Sequence, residues 1–310
     1  MKTCVVTGGA GFIGNHLIKQ LLSTYKVVCI DNFSSGQKRN IEPFIGHPHF
    51  TFREHDLTSP LQIEEVDYLF HLASRASPRD FSRFPIDILL TNSLGTLHML
   101  EAARENGARF LLASTSEIYG NPLEHPQSEK YFGNVSSIGP RSCYDEGKRF
   151  AEALTMAFHR AYGLDVRIAR IFNTYGPGMR MDDGRVIPTF IAQALAGEEI
   201  TIFGDGKQTR SFCYVEDMVE GLKRLMFTEG LAGEVVNLGS ETEMRIFELS
   251  HLIKRLIISS SKISFSPLPE NDPERRQPDN SKAKKLLGWT PTTSVEEGLR
   301  KTIEYFKGFV

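Results

Sequence analysis

The sequence predicts an α/β protein built on a doubly wound parallel sheet, with a smaller α/β domain toward its C-terminus. Three observations predict it. Short apolar runs alternate with amphipathic stretches from Met1 to Phe172. The runs are hydrophobic nearly throughout, as strands buried on both faces are. A glycine-rich turn joins the first run to the first amphipathic stretch. Alternation of this kind argues for parallel strands joined by right-handed helical crossovers.

In chain order, strands are expected at 2–7, 26–31, 50–55, 67–72, 109–114 and 165–172. Helices are expected at 11–22, where Ile13, Leu17 and Leu21 recur at i, i+4 spacing, and at 92–106 and 144–162. Beyond Phe172 the texture turns to loops: Tyr175-Gly176-Pro177-Gly178, Asp182-Asp183-Gly184 and the proline-rich stretch 266–280. These are expected to belong to a smaller domain that closes over the active site. The run 234–238 reads as one more sheet strand, so the chain is expected to return to the large domain before it ends. The resulting division is 1–175 with a return segment of about 211–240, and a second domain formed by 176–210 and 241–310.

A chain of 310 residues, 40% hydrophobic and 24% charged, can bury a sizeable core without metal or disulfide staples. A formal net charge of −2 calls for neither nucleic acid nor an anionic membrane as partner. Cys4, Cys29, Cys143 and Cys213 are widely spaced and form no metal-ligand pattern. They are expected to be reduced thiols. The N-terminus runs directly into a strand with no signal-peptide pattern, and no apolar run approaches the roughly 20 residues of a membrane span. A soluble, cytoplasmic protein is the expectation.

Thr7-Gly8-Gly9-Ala10-Gly11-Phe12-Ile13-Gly14 follows a strand and opens a helix. Glycines at 8, 11 and 14 let backbone approach a pyrophosphate and pack the helix tightly on the strand, whose N-terminus then offers free N–H groups and a positive dipole end. The spacing is GxxGxxG rather than GxGxxG. The strand, turn, helix and a second strand ending in Asp31 agree on a dinucleotide site of Rossmann type. Asp31 can accept hydrogen bonds from ribose hydroxyls and would repel a 2′-phosphate, which favours NAD over NADP. Lys38 and Arg39 could argue the other way but read as solvated surface. Asp56, ending the third strand, is a candidate for the adenine amine. Phe12, Ile13, Asn32, Leu57, Leu72, Ala73 and Asn92 complete the expected NAD contacts.

Tyr144 and Lys148 share one face of a helix at i, i+4 spacing. A free tyrosine is a poor base at neutral pH, but a nearby ammonium and the nicotinamide charge both favour phenolate. The pair can then take a proton from an alcohol as hydride leaves the same carbon.

With these features and Ile171-Phe172-Asn173-Thr174-Tyr175-Gly176-Pro177, the chain resembles the extended short-chain dehydrogenase/reductase family along its whole length. The resemblance implies a sugar-nucleotide enzyme in which tightly held NAD oxidises C4 of the sugar and later gives the hydride back. Within the family, Ser114-Thr115-Ser116-Glu117-Ile118-Tyr119-Gly120 resembles the UDP-glucuronate decarboxylases. A 4,6-dehydratase typically shows Asp-Glu where this chain has Ser116-Glu117, and simple 4-epimerases lack the Glu. Further segments look like the same group: His125-Pro126-Gln127-Ser128-Glu129, Gly139-Pro140-Arg141-Ser142-Cys143-Tyr144-Asp145-Glu146-Gly147-Lys148, and Asp182-Asp183-Gly184-Arg185-Val186.

The resemblance implies catalytic roles for Thr115, Glu117, Tyr144, Lys148 and Arg276, and substrate contacts from Ser77, Thr115, Asn173, Arg185, Val186, Arg210 and Arg276. Gln208-Thr209-Arg210-Ser211-Phe212 matches a nucleotide-diphosphate segment. Asp272-Pro273-Glu274-Arg275-Arg276-Gln277 matches a loop whose arginine faces the sugar, with Arg275 the other candidate for that position. The implied product of C4 oxidation is a β-keto acid, which loses CO2 and is then reduced to a UDP-pentose.

In the run His71-Leu72-Ala73-Ser74-Arg75-Ala76-Ser77-Pro78, Arg75 stands where the family usually has Pro. It is expected close to nicotinamide and sugar, facing a carboxylate, another sugar substituent such as an N-acetyl oxygen, or solvent. Alternatives therefore stay open: a UDP-glucuronate 4-epimerase, a 4,6-dehydratase, a decarboxylase of a C2-modified UDP-uronic acid, or a non-catalytic sugar-nucleotide binder. The family's pairing of subunits through helices at 92–106 and 144–162 implies a homodimer.

Overall fold

The apolar runs of the N-terminal half become strands because each is bounded by turn residues and is too short for a buried helix. In the computed structural model, residues 1–268 and 275–309 are described. Asp272, Pro273 and Glu274 of the arginine loop therefore lie outside the described residues. The first half runs β1 (Thr3–Thr7), α1 (Phe12–Leu21), β2 (Lys26–Asp31), β3 (Phe50–Glu54), β4 (Tyr68–His71), α2 (Pro78–Phe81), α3 (Pro85–Leu90), α4 (Thr96–Asn106), β5 (Arg109–Thr115), α5 (Ser142–Tyr162) and β6 (Val166–Ile171). It continues with β7 (Thr174–Tyr175), α6 (Val186–Ala196), β8 (Ile200–Phe203), β9 (Thr209–Ser211), β10 (Cys213–Tyr214), α7 (Val215–Phe227) and β11 (Glu234–Leu238). The last part contains β12 (Glu243–Arg245), α8 (Ile246–Ile257), β13 (Ile263–Ser266), β14 (Arg275–Arg276), α9 (Ser281–Leu287) and α10 (Val295–Lys307).

Seven strands form one sheet in the order β11-β6-β5-β4-β1-β2-β3, every pair parallel. The doubly wound sheet expected from the sequence is thus present, and the run 234–238 does return to it beside β6. The order reverses between β1 and β4, and ligands of such sheets bind at the carboxyl ends of strands flanking that point. β3 departs from the expected two-sided burial because it is an edge strand: its residues are half-buried or exposed. Smaller sheets pair β8 with β13, and β9 with β12 and β14.

One face of the large sheet packs α1 and α7 through Leu17, Ile18, Leu21, Val219 and Leu222, a core continuous with α6, α8 and α10. The other packs α4 and α5 through Met99, Leu100, Ala151 and Phe158. Thr91–Gly95, between α3 and α4, is a π-helical turn, a local widening that often marks functional positions. α5 begins at Ser142, two residues before the expected start, so Tyr144 lies in its first turn and Lys148 in its second.

Candidate active site

A single cleft runs along the carboxyl ends of β1, β2, β4, β5 and β6 and is closed on its far side by residues 178–190 and by β9. At its dinucleotide end, Gly8 takes φ +69°, and a Cβ there would stand 2.8 Å from the backbone of Ala73. A Cβ on Gly14 would collide with the Gly8 carbonyl. The glycines are therefore demanded by the close approach of β1, α1 and the loop after β4, and the space they leave opens on the cleft at the α1 N-terminus.

Asp31 is buried, and its carboxylate accepts the N–H of Ala10 at 3.0 Å and of Phe33 at 2.8 Å. Burial pushes its carboxyl up, and these backbone donors pull against that. Asn32 donates to Asp56 at 3.0 Å, and Thr58 donates through both backbone and hydroxyl to Asp56, holding that carboxyl low. Gly11, Phe12, Ile13, Leu57, Leu72 and Ala73 line the same part of the cleft. This set fits a dinucleotide without a 2′-phosphate. Arg39 is turned onto the Phe309 ring, 4.2 Å from its centroid, and donates to Gln37. Lys38 lies over Phe33.

Asn92 is a correction. It was expected to touch NAD, but it lies behind the cleft wall: it is 1% exposed, and its amide donates to Ser74 Oγ at 3.1 Å and to the Ile88 carbonyl at 2.9 Å. It holds Ser74, which does line the cleft.

At the chemical end, β5 delivers Thr115 and α5 delivers Tyr144 and Lys148 to one wall. Lys148 is fully buried and donates to the Ala113 carbonyl at 2.9 Å. Burial lowers its ammonium to about 8, against the opposing charge of Glu152. The Tyr144 ring stacks on Phe81, centroids 5.1 Å apart. Burial raises the Tyr144 hydroxyl to about 12, while a hydrogen bond with Thr115 and the charge of Arg185 work the other way. Within the protein itself burial is the larger influence on this hydroxyl, and the charge of Arg185 opposes it.

Thr115 caps a short 3₁₀ turn, Ser116–Tyr119, by accepting the Glu117 N–H at 3.2 Å. That turn aims Glu117 into the cleft between two guanidiniums, Arg141 at 2.5 Å and Arg276 at 3.3 Å. Burial alone would raise the Glu117 carboxyl, but the charges of Arg276 and Arg141 outweigh it and hold it well below the usual carboxylate range. Asp145, one residue after Tyr144, goes the opposite way, raised by burial and by the charge of Glu117.

Arg276 likewise lies apart from the cleft lining. It was expected to face the sugar, yet it is 1% exposed and lies behind the cleft wall, donating to the Ser116 carbonyl and to Glu117. Its neighbour Arg275 is exposed.

The loop after Pro177 brings the remaining expected residues to the cleft. Ser77 donates to the Asp183 carbonyl at 2.5 Å, and Asp183 holds Arg185 through two bonds of 2.5 and 2.8 Å. Val186 starts α6, Asn173 precedes β7 and Arg210 sits on β9, all on the cleft wall. Arg75 lines the cleft too, but faces the protein's own Asp80 at 3.3 Å and stacks on Phe84 at 4.0 Å. Three residues given no role from the sequence matter here: Arg141, Asp183 and Phe81. Arg141 lies one helical turn before Tyr144, which was a usable signal. Asp183 stands in the segment Asp182–Val186 that carries the resemblance, whereas Phe81 gave no signal, since its stacking on Tyr144 comes from a contact across the fold.

The model of the GDP-mannose 4,6 dehydratase family matches residues 5–302. UDP-glucuronic acid decarboxylase 1 of Xenopus tropicalis is 52% identical over 307 residues, 99% of this chain and 72% of that protein. UDP-glucuronic acid decarboxylase 6 of Arabidopsis thaliana is 52% identical over 98% of this chain and 88% of its own length. Among solved structures, a UDP-glucuronic acid 4-epimerase from Bacillus cereus, in complex with UDP-glucuronic acid and NAD, aligns with a TM-score of 0.90 at 29% identity, covering 99% of this chain and all of that one (100%). With the family model spanning nearly the whole chain, and with Tyr144 and Lys148 on the helix that follows β5 of a seven-stranded parallel sheet, lining the cleft, the chain belongs to the GDP-mannose 4,6 dehydratase family within the extended short-chain dehydrogenase/reductases.

Proposed function

We propose that this protein decarboxylates UDP-glucuronate to UDP-xylose, holding NAD as a recycled prosthetic group. The observation that carries the reading is Glu117, a carboxylate kept ionised between Arg141 and Arg276 and set two residues beyond Thr115, on the wall shared with Tyr144. The names of relatives that share half of the sequence support it.

The glycine turn, Asp31, Asn32 and Asp56 would hold NAD, which when bound supplies reversible hydride acceptance at C4 and a positive ring beside Tyr144. Tyr144 takes the C4 hydroxyl proton, helped by its hydrogen bond to Thr115 and by the charge of Arg185. The C4 ketone lies β to the carboxylate, so the C5–C6 bonding electrons can flow into it as CO2 leaves. Tyr144 and Thr115 donate to the oxygen on which that charge collects. Glu117 orients the sugar and the water that protonates C5. Arg185 and Arg210 are placed for the diphosphate. Tyr144 returns its proton as C4 is reduced.

The proposed domain division is a dinucleotide-binding unit of 1–175 with about 211–240, and a substrate-binding unit of 176–210 and 241–310. We further place the protein in the cytoplasm as a homodimer. Four free, buried cysteines suit a reducing compartment. Ile86, Leu89, Leu90, Leu94 and Phe150, on and beside α3 and α5, are exposed and apolar and suit a second copy. Among the described residues no helix is long and apolar enough to cross a membrane.

The test is incubation with UDP-glucuronate carrying carbon-13 at C6. Labelled bicarbonate supports decarboxylation. Label retained in a UDP-uronic acid of unchanged mass sinks it and favours the 4-epimerase, the reaction of the structural neighbour from Bacillus cereus.

A further inference from the structure

One helical turn after Lys148, α5 carries a second, partly buried ionic group. Glu152 Oε1 accepts from Ser114 Oγ at 2.5 Å and from Arg170 Nε at 3.0 Å, and Oε2 accepts from Arg170 Nη2 at 2.8 Å. Ser114 immediately precedes Thr115, and Ala113, which receives the Lys148 ammonium, precedes Ser114. Two successive turns of α5 therefore grip two successive residues of β5, just before the strand delivers its catalytic threonine. The i, i+4 spacing also sets the Glu152 carboxylate on the same helix face as the ammonium.

We propose that Glu152 is a positioning residue: it is the counter-charge of Lys148 and the brace that fixes α5 against the end of β5. The groups around Lys148 make this carboxylate distinctive. From β4 comes His71, buried and held neutral, its imidazole lowered to about 3 by burial and by the Lys148 charge. From β5 come the Ala113 carbonyl and the Thr115 hydroxyl, from α5 the Tyr144 hydroxyl, and from β6 Arg170, which is engaged behind Glu152. Glu152 is the acid whose charge opposes the burial of Lys148.

The brace reaches further. Arg170 donates to Tyr119 Oη at 2.9 Å, Tyr119 donates to Asn237 at 2.7 Å, and Asn237 donates to the Gln127 carbonyl at 3.0 Å. Gln127 in turn accepts the Gln277 N–H at 2.9 Å, beside Arg276. One buried polar chain thus joins the support of Lys148 to the support of Glu117, the two halves of the proposed chemistry. Fully satisfied networks of this kind rigidify what they connect.

The inference rests on the hydride chemistry proposed above only for its kinetic arm. Its main test is an NMR titration of the Lys148 side chain in lysine-labelled, NAD-saturated protein, with the resonance assigned by Lys148→Met. In Glu152→Gln the titration midpoint is expected to fall about one pH unit below that of the unsubstituted protein, because an anion within reach has been removed. Ser114→Ala, which deletes a hydrogen bond but no charge, is expected to leave the midpoint in place. A midpoint unchanged in Glu152→Gln overturns the proposal, since a purely structural brace would not move it.

Glu152→Gln leaves the partly buried Arg170 without its counter-charge. The double substitution Glu152→Gln with Arg170→Met removes both charges and is expected to move the midpoint in the same direction. In the kinetic arm, the alkaline limb of the pH–rate profile with UDP-glucuronate moves toward acid in step with the NMR midpoint. If the unsubstituted protein fails to turn over UDP-glucuronate, the functional reading fails while the NMR result still decides the role of Glu152.

Discussion

Replacing Lys148 by methionine should stabilise the fold while abolishing turnover. The ammonium is 2% exposed, and burial lowers it from 10.5 to about 8. At about 1.4 kcal/mol per pH unit, keeping it charged in the folded state costs about 3 kcal/mol at neutral pH. The substitution also loses the bond to the Ala113 carbonyl, a charged hydrogen bond with a net contribution of about 1.5 kcal/mol. The difference leaves the variant more stable by an amount on the order of 1 kcal/mol.

The sign with pH follows from linkage. The folded protein releases this proton at lower pH than the unfolded chain, so the burial cost is present in full below about 8 and is relieved as pH rises toward 10.5. The advantage of the variant should therefore be largest near neutrality and fade across that window. Urea unfolding of both proteins at a series of pH values, followed by circular dichroism, measures it. A variant less stable at neutral pH, or a difference that does not vary between 8 and 10.5, would refute the reasoning.

Three other outcomes are expected. Glu117→Gln keeps the shape of the side chain but removes the charge between Arg141 and Arg276, so release of CO2 should drop by about 10²–10⁴ while NAD stays bound, read by bicarbonate formation and by cofactor content. Arg276→Met removes the strongest charge holding Glu117 low, so the acid limb of the pH–rate profile should move up in pH; an unmoved limb would show that Arg141 suffices. Gly14→Ala drives a methyl into the Gly8 carbonyl, so the dissociation constant for NAD should rise at least about 100-fold, equivalent to about 2.7 kcal/mol, in calorimetry.

What the sequence made legible follows from how locally each feature is encoded. The strands show because each is a short apolar run between turn residues, and Gly8, Gly11 and Gly14 show because backbone crowding admits no side chain. Tyr144 and Lys148 show because helical spacing alone brings them together. Arg276 illustrates the opposite case: its position beside Glu117 depends on β14 pairing with β9 far along the chain, and only that pairing tells that it backs the carboxylate rather than the sugar. The bonds of Asn92 to Ser74 and Ile88 depend on the fold around the π-helical turn Thr91–Gly95, which has no local signature. The burial that raises the Tyr144 hydroxyl is not displayed by the sequence. The brace of Glu152, Ser114 and Arg170 joins one helix and two strands and leaves no local signature.

The central claim is that the hydride at C4 is borrowed and returned while C6 is lost. Turnover of UDP-glucuronate carrying deuterium at C4, followed by mass spectrometry and NMR of the nucleotide sugar, tests this most directly. The account predicts a UDP-pentose that lacks C6 and still carries deuterium at C4. A pentose with hydrogen at C4, or a deuterated uronic acid with C6 intact, would contradict it.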